Sequence, residues 1–151
     1  MHAGQDELLY FESADVNSEK SVALRGLLEG GKVVLVNFWA IKCVPCIDEL
    51  RELNRLYNDR LKGRGVEFIA VNADGVEGME LKKKMEELDI RIRFPSIADP
   101  DMEITNFYSN GFVPHNIIIA PEGVVELQVT GYNPALSEKI EEKLLELLGE
   151  R

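Results

Sequence analysis

The chain has 151 residues, a formal net charge of −10, 45% hydrophobic residues and 29% charged residues. That length suits one domain with its own core, and the acidity excludes ordinary nucleic-acid binding, which needs a clustered basic surface. No apolar run reaches the roughly 20 residues of a membrane span.

Residues 1–20 read as an N-terminal extension, in which residues 8–11 predict a short edge strand. They lack a basic flank followed by an apolar core, so no signal peptide is expected. On that basis the compartment is cytoplasmic if the chain is complete, and extracytoplasmic if it is the mature part of a longer precursor. The domain proper is expected over residues 21–151. Residues 21–28 predict one or two helical turns, with Ser21 as cap and Gly30-Gly31 as stop.

Residues 33–39, VVLVNFW, are β-branched and apolar enough for a strand buried on both faces. After a short turn the period changes. Cys46, Leu50, Leu53, Tyr57 and Leu61 recur at steps of three and four, which predicts an amphipathic helix ended by Gly63 and Gly65. Residues 66–71 predict a second buried strand, and a helix from about Val76 places Leu81, Met85 and Leu88 on one face. Residues 97–98 predict a short strand and residues 102–108 two helical turns. Residues 116–120 and 124–130, joined by Pro121-Glu122-Gly123, read as a β-hairpin. Asn133-Pro134 caps a last helix with Ile140, Leu144 and Leu147 on one stripe. The order implies an α/β fold, a mixed central sheet with helices on both faces.

The chain's two cysteines, in Cys43-Val44-Pro45-Cys46, sit where a strand ends and a helix begins. Two cysteines make a poor disulfide scaffold but a good redox or metal pair. A thiolate at a helix N-terminus meets unpaired N–H groups and the positive end of the helix dipole. Cys43 is therefore expected to have a lowered pKa and to be the nucleophile, with Cys46, one turn on, as the resolving thiol. Pro45 fits the first turn, where its missing N–H has no partner to lose. The plainer reading of the pair is two inert thiols.

Asn37-Phe38-Trp39-Ala40 followed after two residues by Cys43-Val44-Pro45-Cys46 resembles the active-site signature of thioredoxin-fold proteins. The closer resemblance is to the TlpA/ResA-like branch of thiol–disulfide oxidoreductases. It is carried also by residues 53–57, residues 65–72 and Val113-Pro114, and extends over about residues 24–148. The resemblance implies a thioredoxin-like three-layer fold, a cis peptide before Pro114, and a substrate surface formed by Val113, Pro114, Trp39, Lys42 and His115. The backbone of Val113 is then expected to pair with an extended client peptide. It further implies protein thiols or disulfides as substrates, an external redox partner, a monomer, and no cofactor beyond the redox-active Cys43–Cys46 disulfide.

Two departures from the wider thioredoxin pattern bear on proton handling. Asn37 stands where thioredoxins carry a buried Asp, and Asn does not titrate. Glu49, three residues after Cys46, matches a Glu of the ResA-like branch and is expected to accept the resolving thiol's proton if burial raises its pKa. The plain alternative is an exposed carboxylate favourable with the helix dipole. His115 replaces a common Thr, and the inferred fold places it near the cysteines as a modulator, a substrate contact or a third metal ligand. A Cu(I) or Zn handling protein using Cys43, Cys46 and His115 is accordingly the alternative function. A peroxidase lacks its Thr-x-x-Cys pocket here. Val44-Pro45 carries neither charge nor His, which favours a reductant over a strong oxidant.

Overall fold

The computed structural model describes residues 8–149. Its centre is a five-stranded mixed sheet in the order β5-β4-β3-β6-β7, comprising β3 (Val33–Trp39), β4 (Val66–Asn72), β5 (Ser96–Ile97), β6 (His115–Ile119) and β7 (Val125–Thr130). β3 lies in the middle, parallel to β4 and antiparallel to β6, and every one of its residues is buried. This is the fold class that the pattern of elements predicts.

Strand alternation divides the core in two. Val33, Leu35 and Trp39 of β3 meet Cys46, Leu50 and Leu53 of α2 (Val44–Leu56), Leu81 and Met85 of α3 (Gly78–Glu87), and Ile140, Leu144 and Leu147 of α5 (Pro134–Gly149). Val34, Val36 and Phe38 meet Leu24 and Leu28 of α1 (Leu24–Glu29) and Ile104 of α4 (Glu103–Tyr108). On the first face Tyr57, Phe68 and Phe94 form a cluster of mutually tilted rings, with centroids 5.3 to 5.9 Å apart.

The N-terminal segment differs from expectation. The strand falls not at residues 8–11 but at β1 (Glu12–Ala14), which pairs with β2 (Ser21–Ala23) in a separate two-stranded sheet. Ser21 therefore does not cap a helix. Its hydroxyl donates across the hairpin to Glu12 at 2.7 Å, Val22 is buried, and α1 begins only at Leu24, whose N–H bonds to the Phe11 carbonyl. Phe11 and Val22 join the second core, so the packed unit starts before residue 21.

Two further elements refine the reading. α2 runs into a π-helical turn, Tyr57–Leu61, which keeps both Tyr57 and Leu61 buried. At α5 the Asn133 side chain accepts the Leu136 N–H at 2.9 Å, the cap expected beside Pro134.

Candidate active site

Cys43 is the N-cap of α2 and Pro45 occupies its first turn. The Cys43 Sγ accepts the Cys46 N–H at 3.2 Å, so an orphan donor of the helix end is aimed at this sulfur. The two cysteines form a disulfide with Cα atoms 5.2 Å apart. Cys43 is half-buried, whereas Cys46 is 0% exposed and packed into the first core. Cys43 is thus the more accessible of the two sulfurs and the one that faces the N–H end of α2.

One turn beyond Cys46, Glu49 is only 1% exposed. Its Oε1 accepts two hydrogen bonds, from Asn37 Nδ2 at 2.9 Å and from Asn116 Nδ2 at 3.0 Å. Asn37 Nδ2 also donates to Asn116 Oδ1 at 2.9 Å, which closes a ring of three side chains. Among the described residues Glu49 Oε2 has no hydrogen-bond partner. Burial pushes Glu49 up to about 7; the bonds from Asn116 and Asn37 pull it down, and the Glu52 charge pushes it up. The carboxyl is therefore half-ionised near neutral pH. It also lines an open cleft of about 690 Å³ between α2 and α5, bordered by Glu52, Tyr132 and Ile140.

Asn116 is the member of this ring that the sequence reading missed. β3 and β6 pair Asn37 with Asn116 and Phe38 with His115, and paired residues share a face. Asn116 consequently points with Asn37 towards α2. His115 points the other way, against the Phe38 ring at 6.2 Å between centroids, with its Nδ1 2.8 Å from the Thr130 hydroxyl. Burial lowers its pKa, against opposing contributions from the Gln128 side chain and the Tyr108 backbone. The expectation that His115 stands with the cysteines is corrected by this alternation. Among the described residues no group of three or more His, Cys, Asp or Glu side chains is arranged to hold a metal.

The Val113–Pro114 peptide is cis. Pro114 is buried and its carbonyl accepts the Gly131 N–H at 2.8 Å, while Val113 is half-buried. Val44, 67% exposed, and Phe112, 60% exposed, are the large apolar side chains left open beside Cys43 and Val113 in the chain. Lys42 is exposed as well. Trp39 is not a surface contact. It is fully buried, because as the last inward residue of β3 it closes the first core.

A family model described as the AhpC/TSA family matches residues 5–128. The chain belongs to that family. Within it the chain is 30% identical over 143 residues to the thiol-disulfide oxidoreductase ResA of Halalkalibacterium halodurans, covering 95% of this chain and 76% of that protein. It is also 35% identical over 112 residues to a ResA of Bacillus cereus, covering 74% of this chain. The chain spans 61% of the length of that B. cereus relative and 50% of the ResA of Oceanobacillus iheyensis. Its fold matches a Chlorobium tepidum protein described as a thiol:disulfide interchange protein DsbE. There the TM-score is 0.79 and the identity 27%, with coverage of 93% of this chain and 94% of that one. The exposed lipoprotein thioredoxin Etrx1 of Streptococcus pneumoniae shares the fold at a TM-score of 0.76 and 24% identity, over 92% of this chain and all of that one. The AhpC/TSA and ResA relationships agree with the thioredoxin-fold, ResA-like reading of the cysteine motif. They lend no support to metal handling.

Proposed function

We propose that the chain is a thiol–disulfide oxidoreductase that reduces disulfides of protein clients through Cys43 and Cys46. The observation that carries this is the placement of Cys43, an accessible sulfur facing the N–H end of α2, one turn from a buried partner thiol. The ResA relatives support the same activity.

In the reduced protein the Cys43 thiolate attacks one sulfur of the client disulfide. The client's S–S bond breaks, a Cys43–client disulfide forms, and the client's other sulfur leaves as a thiolate. Glu49 takes the proton from the Cys46 thiol, whose burial otherwise disfavours the thiolate. The Cys46 thiolate then attacks Cys43 Sγ, forms the Cys43–Cys46 bond and releases the second client sulfur. Two electrons have passed to the client, and an external dithiol resets the pair. By the resemblance, Val113 and Pro114 together with Lys42 are assigned to the surface that receives an extended client segment; Val44, Phe112 and Lys42 are exposed. The neutral Val44-Pro45 dipeptide adds no thiolate stabilisation of the kind that strong oxidants use, which favours the reducing direction.

The test is insulin reduction with dithiothreitol as the electron source. Cys43→Ser is expected to be inactive, and Cys46→Ser to accumulate mixed disulfides with insulin chains. A Cys43→Ser protein as active as wild type would sink the proposal. Equilibration with glutathione measures the potential and decides the direction of electron flow.

A further inference from the structure

We infer that Asp74, in the loop after β4, is a positioning residue for Cys43; this rests on the reading of Cys43 as the nucleophile. Trp39 and Asn72 are register partners at the ends of β3 and β4, and the chain leaves both strands side by side. The β4 loop then holds the loop that leads to the cysteines. The Ala73 N–H donates to the Trp39 carbonyl at 2.8 Å, and the Ile41 N–H donates to Asp74 Oδ2 at 2.8 Å. Asp74 is itself fixed at both ends. Its Oδ2 accepts the Asn72 Nδ2 at 2.7 Å, and its N–H donates to Asn72 Oδ1 at 3.1 Å. Gly75 follows with φ +72, a left-handed turn that carries the chain away towards α3.

The clamped residue sits two places before the nucleophile. Cys43 N–H bonds back to the Ala40 carbonyl at 3.2 Å, so Ala40 to Cys43 form one turn whose second residue is held by Asp74. That turn decides where Cys43 Sγ lies relative to the Cys46 N–H, the contact that favours the thiolate. Releasing Ile41 loosens the turn, weakens that contact and raises the thiol pKa. Asp74 is exposed, so solvent screens its charge and its effect on Cys43 is geometric. Both hydrogen bonds it receives end on the one oxygen, Oδ2, and an Asn at this position can offer its Oδ1 to both donors.

The experiment is alkylation of the reduced protein by iodoacetamide across pH, with the modified cysteine identified by mass spectrometry, for wild type, Asp74→Asn, Asp74→Ala and Asp74→Ser. For Asp74→Ala and Asp74→Ser the Cys43 rate at pH 7 is expected to fall about threefold, with the midpoint of the pH profile moved up by about half a unit. The reduction potential of the pair moves to more reducing values, because the reduced form loses thiolate stabilisation. Asp74→Asn is expected to stay within about 1.5-fold of wild type, since it keeps the acceptor and discards only a screened charge. Two results overturn the inference: an Asp74→Ala and Asp74→Ser pair with the wild-type profile, or an Asp74→Asn protein that falls as far as Asp74→Ala. If Cys46 is alkylated before Cys43 in every protein, it is the assignment of the nucleophile that fails. If Cys43 is alkylated first and with one profile throughout, only the role of Asp74 fails.

Discussion

Asn116 on β6 donates from Nδ2 to Oε1 of Glu49 on α2 at 3.0 Å, joining residues 67 positions apart. The bond favours the ionised carboxylate, in opposition to the burial that raises its pKa. The two amides of the ring thus pull the Glu49 pKa down while burial pushes it up.

Asn116→Ala removes one of the two donors on Glu49 Oε1. Glu49 is expected to titrate above its present value of about 7, by on the order of half to one pH unit. Carboxyl infrared bands or 13C NMR of Glu49 across pH measure the midpoint. An unchanged or lowered midpoint contradicts the assigned hydrogen bond.

His115→Leu is the matched control one residue earlier. His115 faces Phe38 and Thr130 on the opposite side of the sheet. The Cys43 alkylation profile is expected to match that of wild type in His115→Leu, while Asn116→Ala changes the pH dependence of the Cys46 step. A His115 variant with a displaced Cys43 profile shows that this residue reaches the thiols after all.

Glu49 also makes stability depend on pH. Its pKa is about 7 in the folded protein, against a reference of 4.5. Between these values the folded state holds more protons than the unfolded state, so stability falls as pH rises from about 4.5 to 7. The shift corresponds to about 3 kcal/mol lost by pH 8 relative to pH 4 from this group alone. His115 contributes in the opposite sense, since its lowered pKa makes stability rise as pH passes up through the folded value towards 6.5. The clean measurement is thus the difference between wild type and Glu49→Gln in urea unfolding of the oxidised proteins. The Gln variant is expected to gain relative stability as pH rises. A constant difference from pH 4 to 8 rules out a raised Glu49.

In turnover, Glu49→Gln keeps a hydrogen-bonding side chain but removes the proposed proton acceptor. Release of a preformed Cys43–peptide mixed disulfide is expected to slow about 100-fold at pH 7, the lower end of general base effects. The rate should recover at high pH as Cys46 ionises by itself. Formation of the mixed disulfide by Cys43 should change little. Equal slowing of both steps points to a distorted site instead of a lost base.

The core carries its own test. Phe68 is fully buried between Tyr57 and Phe94. Phe68→Ala is expected to cost about 3 to 5 kcal/mol in denaturant unfolding. A loss below about 1 kcal/mol is incompatible with that packing.

Much of this was legible in the chain because local chemistry and periodicity agree. The run of residues 33–39 and the three-and-four spacing from Cys46 announce the strand and helix, and their junction places Cys43 at a helix start whatever surrounds it. Ser21 misled because its hydroxyl serves a hairpin as readily as a helix cap. The pairing with Glu12 took the first three residues of the expected 21–28 helix, and the helix that forms, Leu24–Glu29, is only six residues long. Trp39, expected at the surface by resemblance, is core, since the residue that ends an inward row of β3 has nowhere else to go.

What the sequence by itself determined is the dithiol, its helix-end setting and the succession of elements, because each depends on residues within one or two turns of each other. Only the tertiary structure decided which of two neighbours on β6 joins Glu49. Side chains alternate along a strand, so the register of β6 against β3 sends Asn116 to α2 and His115 to the other core. That register depends on the pairing of residues about 80 positions apart, as in the Asn37–Asn116 bond, and no local pattern in either strand reports it.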